Sequence, residues 1–394
     1  MTVPARVLAV ADSDSYLKWT AGLLDHLPPH WPRRLAVVRS PITPSPEQIR
    51  SALNGTDADV PDIVPARGVL HLIRRFRPDV VVLGCTGPVV NVLSRMIPAA
   101  DRPVLVSGLP GISVPASERA WVFRSAVDLF VVHSRREVAE FTAIARDLGL
   151  PGRVGLTRLP FLAPAAPAGP RDRVVFATQA KVPAGPEERE RILLSLAALA
   201  ERRPDLRVVV KMRALAQEQQ THRERHHYQT LWQRMAGQGR VRPGALTFDA
   251  GPMRGHLAHA AGFVTVSSTA ALEAIAAGVP LLVLSDFGVT AEMINLVFED
   301  SGCLGTLDDL AEARFRDPDP AWCAANYFHE PADEDWLGHL TGLVETARAG
   351  RLPQPVYLHH QIGRLAAPRA RLRLEVHPDT LRRIRTLRRT VRRR

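Results

Sequence analysis

The sequence predicts an α/β protein of two domains, each a mostly parallel sheet covered by helices on both faces. Three observations carry this. Short apolar runs of strand length alternate with helix-length segments from one end to the other, as parallel strands joined by crossover helices require. The chain has 394 residues, more than one ordinary domain holds, so two cores of about 150–200 residues each are the natural division. Midway, FLAPAAPAGPRDR at 161–173 is rich in Pro, Ala and Gly and lacks periodicity, as an interdomain linker does.

Taken in order, strands are expected at Arg6–Val10, Leu35–Val38, Val80–Leu83, Val104–Ser107 and Leu129–Val132, with helices around Ala66–Phe76 and Ser134–Leu148. After the linker the pattern restarts. Strands are expected at Val174–Ala177, Arg207–Lys211, Ala245–Phe248, Phe263–Val266 and Leu281–Leu284, and helices at Glu187–Arg202, Arg223–Met235 and Thr269–Ala277. The division is 1–162 for an N-terminal Rossmann-like domain, 163–172 for the linker, 173–350 for a C-terminal Rossmann-like domain closed by a helix over 333–349, and 351–394 for an irregular basic tail. Domains paired in this way commonly face each other across a cleft and hold a ligand at the carboxyl ends of their strands.

Composition narrows the function classes. With 46% hydrophobic and 23% charged residues the chain is globular. Cys85, Cys303 and Cys323 are too few for a disulfide framework and too far apart for a zinc pattern, which points to a reducing, cytoplasmic interior. The start enters an apolar strand without a leader pattern, and no uninterrupted apolar run of about 18 residues occurs, so neither secretion nor a membrane span is expected. The net charge of +11 is concentrated at one end, because residues 364–394 hold twelve arginines against Glu375 and Asp379. The body is nearly neutral and is not expected to bind nucleic acid. Within 379–394, Leu381, Ile384, Leu387 and Val391 recur among eight arginines. That stripe suits a helix lying on an anionic membrane surface; a solvated, disordered tail is the alternative.

The segment TVSSTAALEAIAAGVPLLVL, 265–284, carries the strongest chemical signal. Ser267, Ser268 and Thr269 lie between a strand and a helix, where one hydroxyl is ordinary capping. Three exceed what a cap requires, at a helix N-terminus that favours a phosphate. Glu273 sits off the capping-box position, and a carboxylate there suits the two adjacent hydroxyls of a ribose. In the first domain, Asp12 and Asp14 follow the first strand and are candidates to deprotonate an acceptor hydroxyl, with helix capping as the alternative for one of them. Gly108 and Gly111, in VSGLPGISVP at 106–115, permit close backbone approach to a ligand or make a tight turn. His256 precedes the serine turn, His133 ends a strand, and the His222, His226, His227 group reads as a solvated helix face. Neither a P-loop nor a Gly-x-Ser-x-Gly elbow is present.

SSTAALEAIAAGVPLLVL resembles the donor-site segment of GT-B glycosyltransferases, a strand followed by a small-residue turn, a helix with Glu-Ala and Gly-x-Pro. Its Ser-Ser/Thr form is more like the capsule-polysaccharide, Kdo-transferase and polysialyltransferase-type enzymes. DLRVVVKMR at 205–213 resembles their strand–Lys–x–His–Pro element, with Lys211 retained and Met212-Arg213 departing from it. VVFATQAKVP at 174–183 resembles the first strand of their C-terminal domain, whose following loop, here carrying Gln179, approaches the nucleotide phosphate. The resemblance covers about residues 171–300, reaches the N-terminal domain by architecture only, and extends to an actinobacterial group of glycosyltransferases.

It implies a GT-B arrangement in which Ser267, Ser268 and Thr269 meet the donor phosphate, Glu273 the ribose, and Lys211 or Arg213 adds positive charge, with Gln179 and His256 in the same pocket. The donor implied is a nucleotide-sugar, a CMP-activated acidic sugar first, and the acceptor a cell-envelope glycan or glycolipid. Transfer would invert the anomeric carbon without metal or cofactor, the nucleotide-sugar being substrate. A nucleotide-sugar 2-epimerase and a non-catalytic glycan-binding scaffold are the rival readings. A basic tail on the inner face of the membrane would bring such an enzyme to its acceptor.

Overall fold

The computed structural model describes residues 4–162, 169–212, 225–358 and 366–376. The chain divides into two units, 1–161 with 329–394, and 162–328. Each is built on one parallel sheet.

In the first unit, β1 (Val7–Ala11), β2 (Arg33–Val38), β3 (Asp62–Val64), β4 (Val80–Gly84), β5 (Val104–Gly108), β6 (Leu129–Val132) and β7 (Arg153–Leu156) lie in the order β3-β2-β1-β4-β5-β6-β7. Every pairing is parallel. β1, β4, β5 and β6 are buried at every residue, so their sequences are unbroken apolar runs rather than alternations. Helices α1 (Asp14–Asp25) and α2 (Pro46–Leu53) cover one face. α3 (Ala66–Phe76), α4 (Gly87–Met96), α5 (Glu118–Arg124) and α6 (Arg135–Asp147) cover the other. Local chemistry sets the helix starts: Ser45 and Gln48 make a reciprocal capping box before α2, and the Ser134 hydroxyl accepts from the Glu137 amide before α6.

The second unit repeats the plan. β8 (Arg173–Ala177), β9 (Arg207–Lys211), β10 (Thr247–Asp249), β11 (Ala260–Thr265), β12 (Leu281–Leu284) and β13 (Leu304–Gly305) lie in the order β10-β9-β8-β11-β12-β13. α7 (Pro186–Arg202), α8 (Tyr228–Gly237) and α11 (Leu307–Ala311) share its core, and α9 (Met253–Leu257) and α10 (Ala270–Ala276) follow β10 and β11. In both sheets the strand order reverses once, between β1 and β4 and between β8 and β11. Such reversals open a crevice at the carboxyl ends of the strands.

The expected strands are present, three of them (Leu129–Val132, Arg207–Lys211 and Leu281–Leu284) with the expected bounds and the rest differing by one to three residues at an end, and three more appear. β3 and β7 are short and carry polar or exposed positions, and β13 is only two residues long, so no apolar run announced them. α8 starts at Tyr228 rather than Arg223, and 213–224 lie outside the described residues. The larger correction concerns the end of the chain. The helix expected to close the C-terminal domain, α12 being the short Pro320–Ala325 and α13 Trp336–Arg348, instead belongs to the first unit. Trp336, Leu340, Leu343 and Val344 of α13 enter the core beside α1. Helical periodicity identified an apolar face, but it does not say which core that face will enter.

The stretch expected as irregular tail also returns to the first unit. Arg102 and Asp128 form a buried two-pronged ion pair at 2.6 and 2.8 Å, and Arg102 Nη2 donates to the Pro353 carbonyl at 2.9 Å. Tyr357 donates its hydroxyl to the Ser94 carbonyl at 3.0 Å, with Arg95 over its ring. A further helix, α14 (Ala366–Glu375), packs on α4 and α3 and buries Leu374. Residues 379–394 lie outside the described residues. Among the described residues, no helix is long and apolar enough to cross a membrane.

Candidate functional site

At the reversal in the second sheet, the loops leaving β8 and β11 are joined by one side chain. Gln179 Oε1 accepts from the Ser267 amide at 2.8 Å, and its Nε2 donates to Ser267 Oγ at 2.7 Å. Arg189 on α7 anchors the Gln179 loop. This guanidinium is 1% exposed and donates to the carbonyls of Gln179, Ala180, Pro183 and His226, with the Tyr228 ring beside it. Sequence reasoning missed Arg189, since nothing in PEERERILL separates it from its exposed neighbours. Ser268 takes the capping role: its Oγ accepts from the Ala270 amide at 3.2 Å, while its own amide donates to Thr265 Oγ1 at 3.1 Å.

Thr269 occupies the N-cap position of α10 with helical backbone angles and no side-chain capping bond. Two of the three hydroxyls therefore build the turn, and the third is half-buried at its edge. Glu273, also half-buried, ends the first turn of the same helix. Gly278 follows with φ +61°, the left-handed geometry that stops a helix.

Beside this loop, Lys211 ends β9 and donates from Nζ to the Met212 carbonyl at 2.5 Å. Asp249 ends β10, accepts from the Gly251 amide at 2.8 Å and lies 3.4 Å from His256 Nε2. The Gly251 amide holds the Asp249 carboxyl below the usual carboxylate range. Burial pulls His256 below the usual imidazole value against the opposing pull of Asp249. His256 Nδ1 is buried with no hydrogen-bond partner among the described residues. Arg213 and His222 lie outside the described residues.

The first unit's reversal is filled differently. Asp12 is fully buried, and its Oδ2 accepts from both the amide and the hydroxyl of Thr86, at 2.9 and 2.5 Å. It thereby ties β1 to the loop after β4. Burial pushes its carboxyl above the usual range, with Thr86 and Arg124 pulling back. A carboxylate so enclosed does not meet a substrate directly, which corrects its assignment as a base in contact with the acceptor. Asp14 differs: it opens α1, partly exposed. Arg124, buried, donates to the Tyr16 hydroxyl, Ser107 Oγ and the Cys85 carbonyl.

His133 and the two glycines lie within the packed first unit. Trp19 Nε1 donates to His133 Nε2 at 2.7 Å, and His133 Nδ1 faces the Thr157 carbonyl at 2.9 Å. His133 Nε2 also lies 3.1 Å from the Leu109 carbonyl, and burial holds the ring's pKa at about 4, so it is neutral at pH 7. A Cβ on Gly108 would fall 2.6 Å from both Trp19 Cζ2 and the Val131 carbonyl. That glycine makes room for the indole and for the β6 backbone. Gly111 is buried, its carbonyl accepting from Ser113 Oγ at 3.2 Å, and the loop beyond is shaped by Glu137, which receives the Ser113 and His133 amides.

Over residues 7–343 the sequence matches the family described as "Putative glycosyltransferase (DUF6716)". The chain belongs to this family. No curated protein matches it. Solved structures sharing the architecture include an S. aureus MnaA–UDP complex, TM-score 0.54 at 10% identity over 90% of this chain and 100% of that one. A Listeria monocytogenes structure titled as a putative UDP-N-acetylglucosamine 2-epimerase gives 0.55 at 14% identity, covering 90% and 98%. A Neisseria meningitidis UDP-GlcNAc 2-epimerase bound to UDP-GlcNAc gives 0.51 at 12%, covering 87% and 99%. At such identities the likeness establishes the fold, two Rossmann-like units of the GT-B type. The glycosyltransferase family's chain thus carries a polar crevice in its second unit and an internally bonded one in its first.

Proposed function

We propose that this enzyme transfers a sugar from a nucleotide-activated donor to a cell-envelope glycan or glycolipid, inverting the anomeric carbon and using no metal. The observation that carries the reading is the Gln179-braced hydroxyl loop at the sheet reversal of a chain from a glycosyltransferase family. In the second unit, Thr269 and Ser268 meet the donor phosphate, Glu273 the ribose, and Lys211 adds charge; Gln179 sets the loop, and His256 lines the same end of the sheet. In the first unit, Asp14 is the base and Asp12 a positioning residue. As the acceptor oxygen bonds to the anomeric carbon, Asp14 takes its proton. The bond from that carbon to the phosphate oxygen breaks, and its electron pair leaves on the nucleotide, where hydroxyls and Lys211 stabilise the charge.

Resemblance of the Ser-Ser/Thr segment favours a CMP-activated acidic sugar, while the similar solved structures are titled with UDP or UDP-GlcNAc. Thermal shift with CMP, CDP, UDP and GDP tests the donor half, since a ligand at 100 times its dissociation constant adds about 2.7 kcal/mol. A well-folded sample that responds to no nucleotide would overturn the proposal. A 2-epimerase is the rival reading favoured by fold likeness over 90% of the chain. It would convert the nucleotide-sugar with no acceptor present, whereas the transferase turns over only when acceptor is added. The arginines of 379–394 would hold the enzyme on the inner face of an anionic membrane, and removing that stretch should weaken binding to anionic vesicles.

A further inference from the structure

We propose that α3 and α14 together form a membrane-docking face on the first unit, for the headgroups of an anionic bilayer, separate from the terminal stretch 379–394. α14 packs against α3 and α4, buries Leu374, and places Glu375 3.7 Å from Arg67. The outward surface of the pair is cationic: Arg67, Arg74, Arg75 and Arg77 are exposed at α3, and Arg371 and Arg373 on α14. Glu375 is the single carboxylate in the two helices, and Arg67 engages it. Such a surface repels itself in water and is relieved by an anionic partner.

Leu372 decides which partner. It stands 57% exposed between Arg371 and Arg373. An aliphatic side chain set among guanidiniums suits a bilayer interface, where the charges meet headgroups and the leucine enters the acyl boundary. A nucleic acid would call for stacking rings or polar base-readers. Of the two rings on these helices, Phe76 is half-buried with Arg6 over it at 4.6 Å, and His71 is exposed beside the arginines without a second ring to stack a base between. In sequence, the arginines of 379–394 follow α14 closely.

The test uses full-length protein with the eight arginines of 379–394 replaced by glutamine, so that the folded face is read alone. It is sedimented with vesicles of phosphatidylcholine and with vesicles containing phosphatidylglycerol. The expected result is salt-sensitive binding to the anionic vesicles only. Replacing Arg74, Arg75, Arg371 and Arg373 by Gln should then weaken it about a hundredfold or more, each arginine being worth roughly fivefold. Leu372→Ser should weaken it further. Nucleotide-induced thermal shift should be unchanged in every variant, which separates loss of the face from loss of the fold or of the donor site. The proposal fails if the tail-neutral protein ignores phosphatidylglycerol vesicles, if the four substitutions change nothing, or if duplex DNA binds with the same arginine dependence while vesicles do not.

Discussion

In the first unit the carboxyl ends of β1, β4 and β6 are closed from within: the buried Asp12, Arg124 and His133 are taken by Thr86, Tyr16 and Trp19 respectively. In the second unit the equivalent crevice holds an amide and three small hydroxyls, with Thr269, Glu273 and Lys211 only half-buried around them. One topology supports both. Strand order places a crevice, but side-chain volume and hydrogen-bond closure decide whether it is a wall or a mouth. The first unit closes its strand ends with internal hydrogen bonds, and the second leaves half-buried polar groups at its own.

Substitutions can break that contrast. The largest effect belongs to Asp14→Asn, which should lower turnover by about 10²–10⁴-fold and leave nucleotide-induced thermal shift intact; full turnover would remove Asp14 from the chemistry. Trp19→Ala should cost about 3–5 kcal/mol in denaturant unfolding, without changing nucleotide affinity of the protein that remains folded. The wall also has a pH signature. His133 is held at about 4, against 6.5 for an ordinary imidazole, so the unfolded chain binds an extra proton between those values. Its contribution is complete above about pH 6.5 and is lost as pH falls towards 4, about 3 kcal/mol in all. Denaturant midpoints across that range should flatten in His133→Gln.

The mouth should respond in the opposite sense. Gln179→Ala ought to cost only about 1 kcal/mol of stability, yet weaken nucleotide binding about tenfold or more by releasing Ser267. If stability falls and nucleotide binding does not, the loop is structural. Smallest of all, Thr269→Ala should shift stability by less than about 0.5 kcal/mol, because its hydroxyl makes no capping bond. Ser268→Ala, which removes a cap, should cost about 1 kcal/mol.

Much of the architecture was legible because buried parallel strands are written as apolar runs: Val80–Leu83 and Leu281–Leu284 could be read directly. β3, with the burial of an edge strand, and the two-residue β13 could not. Ser267, Ser268 and Thr269 were correctly placed at a strand-to-helix turn. Their division of labour was hidden, since it depends on Gln179, 88 residues away in sequence. Asp12 and Asp14 look alike in the sequence. One is sealed by Thr86, 74 positions on, and the other opens a helix. The fate of α13 was illegible for the same reason, as an amphipathic face carries no address.

The return of the chain to the first unit sets a schedule for synthesis. The first sheet is complete in sequence at β7, but Trp336 and Leu340, which cover part of it, lie beyond the whole second unit. At about 5–20 residues per second, roughly ten to thirty-five seconds separate emergence of that sheet from arrival of its last cover. During that interval an apolar patch on a nearly finished domain faces the ribosome exit and its surroundings. The second unit, uninterrupted in sequence, can finish first although it starts later.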